Sequence, residues 1–163
     1  MVPRSSEGYI LSCFYVWEGN MGSKLNRGNQ DCEVVLLCCQ HCLNGEAKDS
    51  IWSLEAQGVS IRTIMMPCSS KVEVPYILKI LEAGADGVEI IACPKQSCKF
   101  LVGSLRAEKR IEYIHGLLEK IGYAGERVGI SRKLSQSPEE LFDIAKARAK
   151  AIENLGLNPM KGE

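Results

Sequence analysis

From Glu33 onward the chain alternates short apolar runs with longer stretches of helical spacing. Val34-Val35-Leu36-Leu37 is a continuous apolar run rich in β-branched residues, which predicts a strand buried on both faces. A helical stretch follows to Gln57, with Ala47, Ile51 and Leu54 on one face and Gly58 as its stop. Val59–Met66 reads as a second strand. The spacing of Val74, Ile77, Leu78 and Leu81 predicts a helix over about Val72 to Ala83, closed by Gly84. Val88–Ala92 reads as a third strand, and Arg127–Ile130 as a fourth. Between them, Ile111, Ile114, Leu118 and Ile121 mark a helix from about Ser104 to Ile121, stopped by Gly122. The last helix opens on a capping box, Ser137-Pro138-Glu139-Glu140, and runs to Leu155 before Gly156.

Strands and helices alternating through short connections imply right-handed crossovers and a parallel sheet covered on both faces. The expected architecture is a single-domain α/β three-layer sandwich with a mostly parallel four-stranded sheet, flavodoxin-like or Rossmann-like. Residues 1–32 break this order. Pro3, Gly8, Gly19, Gly22 and Gly28 stand there among Asn and Ser with no sustained period, so they read as a flexible or docking arm ahead of a domain at 33–163. Met21 is a candidate alternative start within the arm.

Composition narrows the class. The 163 residues suit one core, and 45% apolar content is enough to bury it. Twenty basic against twenty acidic residues give a formal charge of +0, unlike the basic excess of a nucleic-acid binder. The longest apolar run, Tyr9 to Trp17, is too short to span a bilayer, and Glu18–Asn20 follows it where a secretory cleavage site would need small residues. A cytoplasmic protein is expected.

The eight cysteines change the picture most. In an intracellular chain, clustered thiols hold metal or do redox chemistry more often than they form structural bridges. Cys38 and Cys39 end the first predicted strand and Cys42 opens the next element. Cys68 lies just past the second strand, Cys93 ends the third, and Cys98 follows in the next loop. These positions fall at the carboxyl ends of parallel strands, the edge where open α/β sheets gather ligands. Such a set can ligate an iron–sulfur cluster, hold a structural zinc, or use Cys39 and Cys42 as a thiol–disulfide pair; buried free thiols are the plainest alternative. Cys38 should point away from Cys39 and pack, while Cys13 and Cys32 fall in the arm.

The phrases around these cysteines resemble a known family, the delta subunit of methyl-viologen-reducing hydrogenase. They are Leu37-Cys38-Cys39-Gln40-His41-Cys42, Met66-Pro67-Cys68-Ser69, Gly84-Ala85-Asp86-Gly87-Val88, Ala92-Cys93-Pro94-Lys95-Gln96-Ser97-Cys98, Arg106-Ala107-Glu108-Lys109-Arg110 and Leu155-Gly156-Leu157-Asn158-Pro159. The likeness runs from about Val34 to Met160. It implies an electron-transfer subunit with a [2Fe-2S] cluster and no substrate site of its own. Such a subunit relays electrons between a hydrogenase or other oxidoreductase and the flavin of a heterodisulfide reductase A-like subunit. Cys39, Cys42, Cys68, Cys93 and Cys98 carry over as the cluster cysteines, of which a cluster needs four. The chain departs from the family's usual residues at His41, an aromatic position, at the spacer Pro94–Ser97, where His-Pro-Gly-Asp is usual, and at Lys99, where His is common. Charge and hydrogen bonding at those places would tune a potential.

Other candidates are weaker. His41 is a possible ligand or a neighbour of the ligands, and His115 has no evident carboxylate partner. Lys95 and Lys99 flank the thiol loop and could offset its charge or meet an acidic partner. Arg106, Lys109 and Arg110 read as a solvated helix face with docking as the alternative. Residues 99–151 hold eleven basic against seven acidic side chains, so the neutral total conceals a sided surface. No Gly-x-Gly-x-x-Gly follows a strand.

Overall fold

A computed structural model describes residues 32–50, 53–56 and 58–161. The arm with Cys13 and Met21 lies outside them, as do Ile51 and Gln57; Cys32 is inside and begins the first strand.

The buried run becomes β1, Cys32–Cys39. A short helix α1, Gly45–Ser50, leads to β2, Ser53–Ala56, and then β3, Val59–Met66. Next come α2, Val74–Glu82; β4, Gly87–Ala92; α3, Gly103–Lys120; β5, Val128–Arg132; and α4, Pro138–Ile152. Among the described residues the sheet has the order β2-β3-β1-β4-β5. β3, β1, β4 and β5 are mutually parallel, which is the four-stranded parallel sheet the pattern predicts.

One expectation is corrected. The helical stretch to Gln57 ends at Ser50, and Ser53–Ala56 pairs antiparallel with β3 as an added edge strand. Ser-Leu-Glu-Ala carries helix-forming side chains, but the open edge of β3 offers it a row of backbone partners.

The two faces of β1 bury two cores. Val35 and Leu37, with Val88, Ile90 and Val128, pack on Ile77, Leu81, Ile111, Ile114 and Leu118 of α2 and α3. Val34, Leu36 and Cys38, with Ile61 and Ile91, pack on Leu141 and Ala145 of α4 and on Ala47 of α1. Ile121, placed on the α3 stripe by its spacing, lies just past the helix and is exposed. The capping box forms: Ser137 accepts from the Glu140 N–H and the Glu140 carboxylate accepts from the Ser137 N–H.

Glu89 puts a buried carboxylate in the middle of β4. Arg148 of α4 donates to it at 2.6 Å and Ser131 of β5 at 2.7 Å, so the charge is paired and hydrogen-bonded, as burial requires. A Cβ on Gly129 would collide with both Arg148 and Glu89, so glycine leaves the pair its space.

Candidate metal centre

β1 lies between β3 and β4, so three parallel strands end side by side. The chain leaves β1 toward β3 and returns past it to β4. The β1/β4 boundary is therefore a topological switch point, where connections diverge and a crevice opens. Each of these strands is followed by a cysteine-bearing turn. After β1 comes the 3₁₀ turn Gln40–Cys42; after β3, Cys68 and the turn Ser69–Lys71; after β4, Cys93, the turn Lys95–Ser97 and Cys98.

All five cysteines singled out by the sequence are buried at this edge. The sulfurs of Cys39, Cys42 and Cys93 lie within 4.8 Å of one another. The Cys42 and Cys93 sulfurs are 3.4 Å apart, and the Cys39 and Cys93 sulfurs 3.9 Å apart. Cys68 and Cys98 meet at a second point, the first residue of α3. A Cβ on Gly103 would stand 2.6 Å from the Cys68 sulfur and 3.2 Å from the Cys98 sulfur. The two groups adjoin, because the N–H of Ser69, next to Cys68, donates to the Cys39 sulfur. Cys38, by contrast, is fully buried beside Val34 and Leu36, and burial pushes its thiol well above the ordinary range.

The triad is electrostatically uneven. Cys39 is brought down to about 5, by the hydrogen bond from Cys42 above all and by the N–H groups of His41 and Ser69, against the desolvation that burial imposes. Cys42 is pushed up by its bond to Cys39 and by burial, and Cys93 is raised by burial. Three thiols this close cannot all ionise unaided, so a cation among them would draw off the remaining protons.

Several buried polar atoms around the site lack partners among the described residues. They are Nε2 of His41, Oγ of Ser69 and the carboxamide of Gln136. Gln136 braces the site from behind, its N–H donating to the Cys42 carbonyl at 2.8 Å. Buried polar groups are almost always paired, so these atoms are suited to a polar or anionic guest. His41 also turns its ring edge-on to Phe100, with centroids 5.7 Å apart.

α3 frames the outer thiols with residues the sequence left as a solvated face. Arg110 donates to the carbonyls of Ser70 and, at 2.8 Å, Val72, holding the Cys68 turn. Glu108 binds Lys95 of the Cys93–Cys98 loop at 2.8 Å and Arg132 of β5 at 2.8 Å. The hydrogen bond from Lys95 holds the Glu108 carboxyl below its usual range. Ala107, between them, is fully buried. His115 bonds the Val128 carbonyl at 2.8 Å, a role within the fold. Arg110→Ala is expected to cost about 2 kcal/mol in chemical denaturation, the loss of a charged donor to two carbonyls, and Arg110→Lys to restore only part of it.

A flavodoxin-like sheet with buried thiols gathered at its switch point defines a class: a small α/β module built to carry a metal or redox group. Within that class, the chain belongs to the family of the methyl-viologen-reducing hydrogenase delta subunit, whose model matches residues 34–156. The vhu iron-sulfur subunit of the F420-non-reducing hydrogenase of Methanocaldococcus jannaschii is 26% identical over 130 residues, covering 80% of this chain and 97% of that protein. The vhc iron-sulfur subunit of the F420-non-reducing hydrogenase of Methanococcus voltae is 32% identical over 117 residues, 72% of this chain and 81% of that one. A subunit of the ferredoxin:CoB-CoM heterodisulfide reductase of Methanosarcina mazei is 25% identical over 123 residues, 76% of this chain but 16% of that much longer protein. Among the described residues no helix is long and apolar enough to cross a membrane.

Proposed function

We propose that this chain is an electron-transfer subunit holding a [2Fe-2S] cluster in its β3-β1-β4 edge. One observation carries the reading: five buried thiols from three turns lie at one sheet edge, three of them with sulfurs within 4.8 Å of one another. The donor set fits the group. Thiolates are the ligands such clusters take, and backbone N–H groups already aim at sulfur, from Ser69 and His41 to Cys39 and from Ser70 to Cys68 at 3.4 Å. The cradle at Gly103 leaves space beneath Cys68 and Cys98 that a side chain would fill. When bound, the cluster supplies one-electron chemistry with no bond made or broken in a substrate.

Cys39, Cys42 and Cys93 would provide three ligands and the Cys68–Cys98 pair the fourth. Burial keeps water from the sulfurs, and the N–H groups stabilise their charge. The proposed partners are a hydrogenase or similar oxidoreductase as donor and a heterodisulfide reductase A-like flavoprotein as acceptor, in the cytoplasm. The match to one segment of the Methanosarcina mazei heterodisulfide reductase polypeptide supports the second partner, since there a module of this kind is part of the same chain.

Serine substitution tests the ligand set on anaerobically reconstituted protein. Cys39→Ser, Cys42→Ser and Cys93→Ser are each expected to abolish the EPR signal of the reduced cluster, and one of Cys68→Ser and Cys98→Ser to do the same. Cys38→Ser should keep the signal. A thiol–disulfide pair at Cys39 and Cys42 predicts the opposite pattern, disulfide reduction indifferent to Cys68, Cys93 and Cys98. A zinc site predicts colourless protein.

A further inference from the structure

We propose that the loop between Cys98 and α3 is the docking lip for the electron acceptor, a flavoprotein whose matching face is apolar with an acidic rim. The inference rests on the electron-relay reading above.

Phe100, Leu101 and Val102 are 52%, 81% and 44% exposed, and Leu105 on the next turn is 38% exposed. Four large apolar side chains thus stand together in one short stretch at the mouth of the thiol site. Single exposed leucines are ordinary, but a contiguous group of them marks an interaction surface. The backbone adds a second sign. Leu101 has φ 56°, the left-handed region that favours glycine, yet it carries the most exposed of these side chains. Its N–H closes a turn on the Cys98 carbonyl at 2.9 Å. Glycine would relieve the backbone, so a leucine this exposed holds the left-handed conformation at a cost in stability.

The lip is joined to the site. Cys98 begins it, Gly103 beneath the Cys68 and Cys98 sulfurs ends it, and Phe100 packs on the ring of His41 between Cys39 and Cys42. A partner seated there adjoins the loop that carries Cys98 and the residue that touches the Cys68 and Cys98 sulfurs. Charge then selects that partner. Lys99 and Arg106, both exposed, flank the apolar residues and have no acidic partner among the described residues, whereas Lys95 is occupied by Glu108. An apolar centre gives contact area, and a basic rim steers an acidic face and fixes its register.

The test uses the cluster-loaded full chain, reduced with dithionite, desalted, and mixed by stopped flow with an oxidised heterodisulfide reductase A-like flavoprotein. Flavin bleaching gives the second-order rate. Leu101→Asp and the double variant Lys99→Glu/Arg106→Glu are each expected to slow it about tenfold or more, the second in a manner that added salt erases. Leu101→Gly should slow it too while melting no lower than the parent. Ile121→Asp, about 27 Å away at the far end of α3, should leave the rate unchanged. All variants should keep the parent's EPR signal. Lip variants with the parental rate, or an equal loss from Ile121→Asp, would overturn the proposal, as would slowing with a hydrogenase donor and not with the flavoprotein. A parent chain that binds no cluster would overturn the relay reading instead, and calorimetric titration of the unloaded chain into the flavoprotein would still decide the lip by the same ranking of variants.

Discussion

Replacing Gly103 with alanine is expected to leave the chain folded and to lower the iron it retains on anaerobic reconstitution about tenfold or more. The two consequences have opposite signs, which makes the result hard to mimic. In a helix interior glycine to alanine is favourable by about 1 kcal/mol, and at the first position, where Gly103 stands, the preference is smaller and of the same sign. The new methyl would, however, stand 2.6 Å from the Cys68 sulfur and 3.2 Å from the Cys98 sulfur. Relief requires those side chains to turn away, and that removes thiols from the site. Gly116 is the control, since it lies on the same helix with nothing within 4 Å of a built Cβ. Gly116→Ala should raise the melting temperature and keep the iron. Iron content and thermal melting of the two variants, side by side, check the expectation.

The second large effect lies at the opposite end of the sheet. Asp86→Ala is expected to destabilise the domain by about 3 to 5 kcal/mol in denaturant titration. The carboxylate is fully buried and accepts from the Glu33 N–H at 2.8 Å, the Asn158 N–H at 2.5 Å and the Lys161 ammonium at 2.7 Å. Asn158 in turn donates to the carbonyls of Leu81 and Ala85, and Tyr123 donates to it. Arg127 completes the knot, donating to the Asp86 carbonyl at 3.0 Å and to carbonyls of Leu155, Gly156 and Leu157. Removing one carboxylate strands two N–H groups and a half-buried cation together. Asp86→Asn keeps an acceptor and should cost less than half as much. The thiol site, at the other edge, should still load iron at low temperature.

These two variants also mark where the sequence was legible. The unbroken apolar run Val34–Leu37 announced a strand buried on both faces and the stripe Ile111–Ile114–Leu118 a helix buried on one, because both patterns are local. Placing Cys39, Cys68 and Cys93 at strand ends was enough to put them on one edge, since parallel strands share a direction. β2 was not legible, because pairing with β3 decides it and its residues favour a helix. Gly103 was not legible either. Its constraint comes from a sulfur 35 positions earlier in the chain, and only the register of three strands brings them together. The phrases Gly84–Gly87 and Leu155–Pro159 stood out as motifs, but the reason is mutual: Asp86 and Asn158 bind each other across 72 positions. Arg106–Arg110 looked like a charged surface, and a charge pattern does not tell which side chains reach back. Glu108 and Arg110 do, one to each outer thiol loop.

Iron and acid-labile sulfide counted per chain in anaerobically purified protein test the central claim most directly. Two irons and two sulfides per chain, with an EPR signal that appears only on one-electron reduction, are the result this account predicts. Stoichiometric zinc, or protein that holds neither metal nor sulfide after anaerobic reconstitution, would contradict it.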